Sequence, residues 1–155
     1  MSKDSISIAQ SPGLTLDDFL CFAVYSASHA FNRLYKPMLD RLGLTYPQYL
    51  AMVALWEGGE PTVGELGERL HLESNTLTPL LKRLEGMGLV TRARDPRDER
   101  QVRIGLTDKG RELRGPACAV PGEMLATTGL TVGDLARLRG EVAALRDLLE
   151  RAEAA

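Results

Sequence analysis

The feature that most constrains this 155-residue chain is a pair of short helices joined by a brief link. Thr62 and Glu65 have the spacing of a capping box and predict the start of the first helix. Ser74 is expected to cap the second helix, which runs through Met87. Because only His71-Leu72-Glu73 lies between them, the spacing is that of a helix-turn-helix.

A hairpin is expected directly after this pair, with strands at 89–94 and 100–107. The segment between the strands, Asp95-Pro96-Arg97-Asp98-Glu99, is rich in turn-forming residues. Basic charge concentrates in the same region. Residues 74–111 hold nine Lys or Arg against five Asp or Glu, whereas the rest of the chain holds ten against sixteen. A basic segment within a chain of net charge −2 indicates a phosphate-binding surface.

Further helices are expected before the pair. Thr15 and Asp18 predict the N-cap of a helix that runs to about Tyr35 or beyond, and Pro37 should kink or end it. Another helix should begin near Pro47 and stop at two glycines.

After the hairpin, a helix is expected near 108–118, interrupted at Pro116 and Pro121. Thr131 and Asp134 should cap a long final helix. The predicted fold class is mainly α with a small β-hairpin wing: a winged helix-turn-helix flanked by N- and C-terminal helices.

The start of the second helix of the pair should enter the DNA major groove, where a helix N-terminus reaches base edges. Its hydroxyl and amide groups can bond bases or phosphates, and the cations that follow suit phosphates. The residues concerned are Ser74, Asn75, Thr76, Thr78, Pro79, Lys82 and Arg83. A helix pair used for protein contacts is the alternative.

Three arginines surround the tip of the hairpin: Arg94, Arg97 and Arg100. An arginine that projects from such a tip can enter the narrow minor groove, where the negative potential is enhanced. Asp98 is better placed to brace an arginine than to face DNA.

Cys21 lies on one narrow face of the first predicted helix. At about 100° per residue, Tyr25, Ser28, Asn32 and Tyr35 fall within about 40° of it. A thiol between this polar face and the neighbouring apolar stripe could receive hydrogen bonds, and the thiolate is the nucleophilic form of cysteine. The same position also suits a small buried hydrophobe, so the helical wheel leaves both roles open.

Other classes of function have little support in the sequence. Two cysteines argue against a disulfide framework, and His29 and His71 stand apart from any cluster with metal-ligand spacing, so neither a metal nor a cofactor is predicted. The apolar runs are too short for a membrane span, and Met1–Ser11 has no apolar signal segment. We therefore expect a cytoplasmic protein without a membrane partner.

Several segments resemble the OhrR branch of the MarR family, over roughly residues 16–150. The matching segments are Cys21–Ser28, Tyr35–Pro37, Leu44–Leu50, Trp56-Glu57, Thr76–Arg83 and Asp98–Arg100. The resemblance implies a winged-helix repressor, not an enzyme, that responds to organic hydroperoxides. It also implies a homodimer that reads a pseudo-palindromic operator in double-stranded DNA.

The same resemblance implies roles for individual residues. Cys21 would be the thiol that a hydroperoxide oxidises to sulfenic acid. Tyr35 and Tyr46 would hydrogen-bond its sulfur across the dimer, with Tyr25 nearby. Oxidation would break this network and release the DNA, and Arg100 would be the wing residue in the minor groove.

The resemblance weakens at Cys118. Some family members resolve the sulfenic acid with a second cysteine, as an intersubunit disulfide, but that cysteine aligns near Ala126. Either Cys118 reaches Cys21 of the other chain, or a low-molecular-weight thiol completes the reaction as a mixed disulfide. A cysteine pair of unknown separation leaves both routes open.

The implied domain organisation is a flexible arm at 1–14 and a single domain at 15–155. Dimerisation helices at 15–45 and 108–155 would enclose a DNA-binding lobe at 46–107. Two other functions compete: a MarR-type repressor induced by a non-covalently bound aromatic ligand, and a thiol peroxidase.

Overall fold

The computed structural model describes residues 14–155, which form eight α-helices and one antiparallel hairpin. The elements are a 3₁₀ turn at Leu16–Asp18, then α1 Leu20–Asp40, α2 Tyr46–Trp56, α3 Val63–Leu70, α4 Ser74–Gly86, β1 Val90–Asp95, β2 Asp98–Leu106, α5 Asp108–Glu112, α6 Arg114–Ala117, α7 Val120–Thr128 and α8 Val132–Ala154. This order confirms the predicted fold class. Of the arm predicted at 1–14, residues 1–13 lie outside the described residues.

The first helix differs from its prediction at both ends. Thr15 does not cap a backbone N–H; its hydroxyl donates to the Asp18 carboxylate 2.6 Å away, and only a 3₁₀ turn forms there. Pro37 does not end α1 either. The helix continues because Met38 and Leu39, which follow the proline, are 96% and 98% buried in the core, and this burial outweighs the hydrogen bond that proline forfeits.

The helix pair begins with a capping box. Thr62 accepts the backbone N–H of Glu65 at 3.1 Å, and the Glu65 carboxylate accepts the N–H of Thr62 at 3.0 Å. The turn that follows contains His71 in the left-handed conformation, with φ of 54°. The prediction that Ser74 caps α4 is wrong: Glu73 occupies the N-cap, Ser74 is the first helical residue, and neither makes a capping side-chain bond.

The predicted helix at 108–118 is divided between α5 and α6, with Pro116 inside α6. Pro121 does not interrupt a helix; it lies in the first turn of α7, where the absent N–H costs nothing. The hairpin is longer toward its tip than predicted, with pairs from Val90↔Leu106 to Asp95↔Asp98 and an irregularity at the tip end of β1.

The hydrophobic core joins the helices α2, α3 and α4 to the hairpin. Its fully buried leucines and isoleucine come from α1, α2, α3, α4 and β2: Leu39, Leu55, Leu66, Leu77, Leu81, Leu84 and Ile104. The Trp56 indole donates to the Gly110 carbonyl oxygen at 2.8 Å and so ties α2 to α5. Gly110 packs so closely on the carbonyl of Leu89 that a Cβ atom would collide with it.

Most of α1 and all of α8 are unburied in the single chain. Within α1 only Met38 and Leu39 belong to the core, and none of the residues of α8 is buried. Both helices expose apolar side chains: Leu20, Val24 and Phe31 on α1, and Leu138, Val142, Leu148 and Leu149 on α8. Extended apolar faces of this kind mark association surfaces. Within residues 14–155, no helix combines the length and apolar character needed to cross a bilayer.

Candidate nucleic-acid interface and thiol site

The helix α4 separates a buried face from a polar one. Leu77, Leu81 and Leu84 have no accessible surface and fix the inner face. The predicted reader residues that are exposed on the outer side are Ser74, Asn75, Thr76, Pro79, Lys82 and Arg83, and Thr78 is half-buried. The structure therefore brings the predicted α4 residues to one surface.

The wing approaches this surface. Arg100 lines a groove together with Ser74 and Thr78 of α4 and Gly64 of α3. Its side chain is 91% exposed, and its Nε and Nη2 atoms donate to Asp98 at 3.0 and 3.2 Å. These side-chain bonds, and the Arg100 backbone N–H, lower the pKa of Asp98. Asp98 thus makes the bond that a bracing role requires.

The other two tip arginines are also exposed. Arg94 donates from Nη1 to the backbone oxygen of Glu99 at 2.7 Å, which fixes its guanidinium across the hairpin. The Arg97 side chain makes no hydrogen bond within residues 14–155, so it projects from the tip.

A second aspartate, absent from the predicted site, anchors the hairpin from inside. Asp95 is buried; it accepts the Arg97 N–H at 2.9 Å and the Arg103 Nε–H at 3.0 Å. The Arg97 bond is the main cause that lowers the pKa of Asp95. Arg103 also donates to the Glu60 carbonyl at 2.8 Å. The available sequence signal was Asp95-Pro96-Arg97, since aspartate at the start of a turn often accepts the N–H two residues on.

The predicted thiol network is not assembled within one chain. Cys21 is exposed near the start of α1, and Tyr25, 64% exposed, contacts His29 edge-on with ring centroids 4.4 Å apart. Tyr35 lies on the same helix fourteen residues later, which corresponds to about 21 Å of helix. Tyr35 and Cys21 therefore cannot meet unless they come from different chains.

Tyr35 meets other tyrosines instead. Its ring centroid lies 5.1 Å from that of Tyr46 and 6.5 Å from that of Tyr49. Tyr35 and Tyr46 are half-buried, and burial is the main cause that raises the pKa of each phenol. Within residues 14–155 neither hydroxyl forms a hydrogen bond. Both phenols stay protonated at neutral pH and can donate to a group supplied from outside the chain.

Cys118 lies far from Cys21 in the single chain. Cys118 lies between α6 and α7. The helix α7 packs on the buried end of α1, near Met38, and the ion pair of Arg41 with Glu123 links the two. About 26 Å of helix separates Met38 from Cys21, so the two thiols cannot bond within one chain. Among residues 14–155, no three His, Cys, Asp or Glu side chains are grouped as metal ligands.

Comparison with known proteins identifies the family. The family model described as transcriptional regulator SarA/Rot matches residues 33–114. The chain is 53% identical over 135 residues to the HTH-type transcriptional regulator TtmR of Methylorubrum extorquens, a match that covers 87% of this chain and 69% of TtmR. It is 44% identical over 138 residues to the organic hydroperoxide resistance transcriptional regulator of Bacillus subtilis, covering 89% and 94% of the two chains.

A solved structure agrees with these sequence matches. Reduced AbfR bound to DNA superposes with a TM-score of 0.72 at 36% identity, covering 84% of this chain and 91% of AbfR, a protein of Staphylococcus epidermidis. AbfR has also been solved overoxidized on DNA and with a disulfide formed. The relatives are regulators, so the prediction of a regulator rather than an enzyme is confirmed. The chain belongs to the SarA/Rot and MarR-type family of winged-helix transcriptional regulators.

Proposed function

We propose that this regulator represses transcription by binding an operator as a homodimer, and that organic hydroperoxides release it by oxidising Cys21. The observation on which the proposal rests is the pair of half-buried phenols, Tyr35 and Tyr46, whose hydroxyls have no partner among residues 14–155. The exposed Cys21 thiol, on α1 as Tyr35 is, is the group to which both phenols can donate when a second chain supplies it. The 44% identity to the Bacillus subtilis hydroperoxide resistance regulator supports the class of inducer.

In the proposed DNA complex, the outer face of α4 enters the major groove. Ser74, Asn75 and Thr76, at its exposed N-terminal end, contact base edges or phosphates. Lys82 and Arg83 contact phosphates further along. The exposed Arg100 of the wing enters the adjacent minor groove. The likeness to AbfR, solved in complex with DNA, supports this orientation.

The two uncovered helices, α1 and α8, support the proposed dimer. In a twofold interface, if residue i of one chain contacts residue j of the other, then residue j of the first chain also contacts residue i of the second. Two copies of α1 that cross antiparallel bring Cys21 beside the partner's Tyr35 when the crossing lies midway between them, at Ser28. The exposed apolar faces of α1 and α8 supply the buried surface that holds the two chains together.

The redox step balances without a cofactor. The Cys21 thiolate attacks one peroxide oxygen, the O–O bond breaks, and the other oxygen leaves as an alcohol after taking a proton. Sulfur is oxidised to sulfenic acid while the peroxide is reduced. The two phenols donate to the thiolate before this step, and the added oxygen displaces them afterwards. Because Tyr46 is the first residue of α2, its displacement moves the DNA-binding lobe at 46–107.

We further propose that a low-molecular-weight thiol, rather than Cys118, completes the reaction. The cleft that contains Cys118 is lined by Tyr49 but by neither Tyr35 nor Tyr46. Cys21 is exposed in the single chain, so that a small thiol can reach it. Non-reducing electrophoresis after peroxide treatment tests this route, since a covalent dimer that disappears in Cys118→Ser would contradict it.

The test of the main proposal is an operator band-shift with wild type, Cys21→Ser and the control Cys118→Ser. Cumene hydroperoxide and hydrogen peroxide are titrated separately. We expect the organic peroxide to release wild type and Cys118→Ser from the operator, whereas Cys21→Ser stays bound. Equal release of all three proteins would contradict the thiol switch and favour induction by a non-covalently bound aromatic ligand. The similarity to the Bacillus subtilis hydroperoxide resistance regulator does not support that alternative.

The dimer geometry has its own test. Ser28→Cys, in a chain that also has Cys21→Ser and Cys118→Ser, should form an intersubunit disulfide under mild oxidation, because each Ser28 lies at the helix crossing. The matched control is Ser26→Cys, whose position lies on another side of α1. Equal crosslinking of both variants would contradict the crossing.

A further inference from the structure

His71 holds a strained backbone conformation at the turn of the helix pair. Its φ of 54° is the one positive value among the non-glycine residues of 14–155. Glycine or asparagine would suit the end of α3 better, because a Cβ atom is unfavourable in the left-handed region. A bulkier side chain that is kept in spite of this cost points to a role beyond the turn itself.

The His71 side chain has a partner on α8. Its Nδ1 atom lies 2.7 Å from Oε1 of Glu150, and since a carboxylate can only accept, Nδ1–H is the donor. Within residues 14–155, this is the one hydrogen bond or ion pair that joins α8 to the lobe at 46–107. Both side chains are about half exposed, so the bond contributes little to stability. What it fixes is the position of α8 against the turn.

The turn transmits this position to α4. The N–H of Leu72 donates to the Gly67 carbonyl at 2.9 Å, and a Cβ atom on Gly67 would lie only 2.7 Å from the Leu72 carbonyl oxygen. Such close packing leaves the backbone little freedom between His71 and Glu73, the N-cap of α4. A shift of Glu150 relative to His71 therefore moves the N-terminal end of α4, which carries the proposed base contacts.

The other side of this bond belongs to the proposed dimer interface. About 12 Å of helix separates Glu150 from Val142, one of the exposed apolar residues of α8. In a twofold dimer, the distance between the two copies of α4 depends on how each lobe is held on the dimerisation helices. We propose that His71 and Glu150 are positioning residues that set the half-site spacing which the dimer accepts. The inference rests on the operator binding proposed above.

The spacing of the half-sites makes this role measurable. One added base pair moves two half-sites apart by roughly 3.4 Å and rotates one of them around the duplex by about 34°. A lobe that is held at a fixed angle to α8 cannot follow this change, whereas a lobe freed from α8 can. Loss of the bond should therefore weaken binding at the preferred spacing more than binding at a shifted spacing.

The test uses reduced, full-length protein and three labelled duplexes. The first is the pseudo-palindrome that wild type selects from a random-sequence pool, and the other two have one base pair added or removed at its centre. Fluorescence anisotropy gives the ratio of the affinities for the preferred and shifted spacings. In Glu150→Ala this ratio should fall about threefold to tenfold, because each dimer loses two such bonds.

Three further variants separate positioning from charge and from folding. Glu153→Ala removes the same charge from the same end of α8, but exposed Glu153 forms no ion pair within residues 14–155, so the ratio should keep its wild-type value. Glu150→Gln keeps an acceptor oxygen and should retain most of the discrimination. His71→Gly suits the left-handed turn better and should lower the ratio without lowering the melting temperature.

An unchanged ratio in Glu150→Ala, or an equal fall in Glu153→Ala, would overturn the inference. So would a His71→Gly protein that keeps the wild-type ratio, since the turn alone would then account for the residue. Failure of the proposed function has a different signature: wild type would select no palindromic duplex at all, and both the operator binding and the spacing role would be overturned.

Discussion

Arg103 and Asp95 form an ion pair within the hairpin, with Arg103 Nη2 2.9 Å from Asp95 Oδ2. The same guanidinium donates to the Glu60 carbonyl in the loop before α3, and Ile104 donates its N–H to the Pro61 carbonyl at 2.9 Å. The wing is therefore attached to the helix pair at its base and braced at its tip. Its orientation relative to α4 is set before any DNA is present.

Asp95→Asn should loosen the wing and weaken operator binding by about tenfold, because the amide cannot accept from both Arg97 and Arg103 as a carboxylate does. A fluorescence anisotropy titration with labelled operator measures the change. The control is Asp95→Glu, which keeps the charge and should retain more of the affinity. Equal affinities for wild type and Asp95→Asn would show that the brace does not orient the wing.

Gly110→Ala should destabilise the fold by about 1–3 kcal/mol, because the added methyl group meets the Leu89 carbonyl. The matched control is Gly115→Ala in α6, where the new methyl group meets nothing within 4 Å. That change should stabilise the protein by about 0.5–1 kcal/mol. Urea denaturation followed by circular dichroism gives both values, and similar changes in the two variants would be inconsistent with the close packing of α5 on the hairpin.

Thr62→Ala should cost about 1 kcal/mol, since it removes a hydroxyl that caps α3. Thr15→Ala is the control: Thr15 has a similar sequence context but caps no backbone N–H, so its loss should be nearly neutral. Thermal denaturation distinguishes the two, with a fall of about 2–4 °C expected for Thr62→Ala alone. Equal melting temperatures would argue against the capping box.

Alkaline pH should destabilise the protein through its tyrosine cluster. Burial raises the pKa values of Tyr35, Tyr46 and Tyr49 above 10.0, so their contribution to stability is complete below about pH 10 and is lost as the pH rises through the folded values. Tyrosinate absorbance should show these three phenols titrating late until unfolding releases them. Tyr46→Phe should remove one late group; ordinary titration of all three would contradict the burial.

Val142→Glu should convert the proposed dimer to a monomer and abolish tight operator binding, because it places a charge on the exposed apolar face of α8. Ala144→Glu, on another side of the same helix, adds the same charge and should leave the dimer intact. Sedimentation velocity reports the mass of each variant. A Val142→Glu protein that remains dimeric would place the interface elsewhere.

Local patterns in the sequence predicted most of the fold. The Thr62 and Thr131 capping boxes depend on residues three apart, and both are present. The similar spacing at Thr15 failed because the hydroxyl donates to the Asp18 side chain instead of receiving an N–H. The prediction that Pro37 ends α1 is wrong because burial of the residues beyond it is a tertiary effect that the helix sequence does not contain.

The candidate sites show the same division. The reader face of α4 was predictable because its leucine spacing is local. Asp95 was not, since its burial depends on Arg103 from the opposite strand. The helical wheel placed Cys21 and Tyr35 on one side of α1 but reports only direction around the axis. Distance along the axis separates the two residues, and it is this distance that requires a second chain for the proposed thiol network.

The attachment of α1 at one end has a mechanical consequence. Its buried residues, Met38 and Leu39, fix one end of the helix in the core, and Cys21 lies about 26 Å away along the helix axis. Each degree by which α1 rotates about this buried end moves Cys21 by roughly 0.5 Å. A displacement the size of one oxygen atom at Cys21 therefore corresponds to a rotation of only a few degrees at the buried end, where α1 packs on α2 and α7.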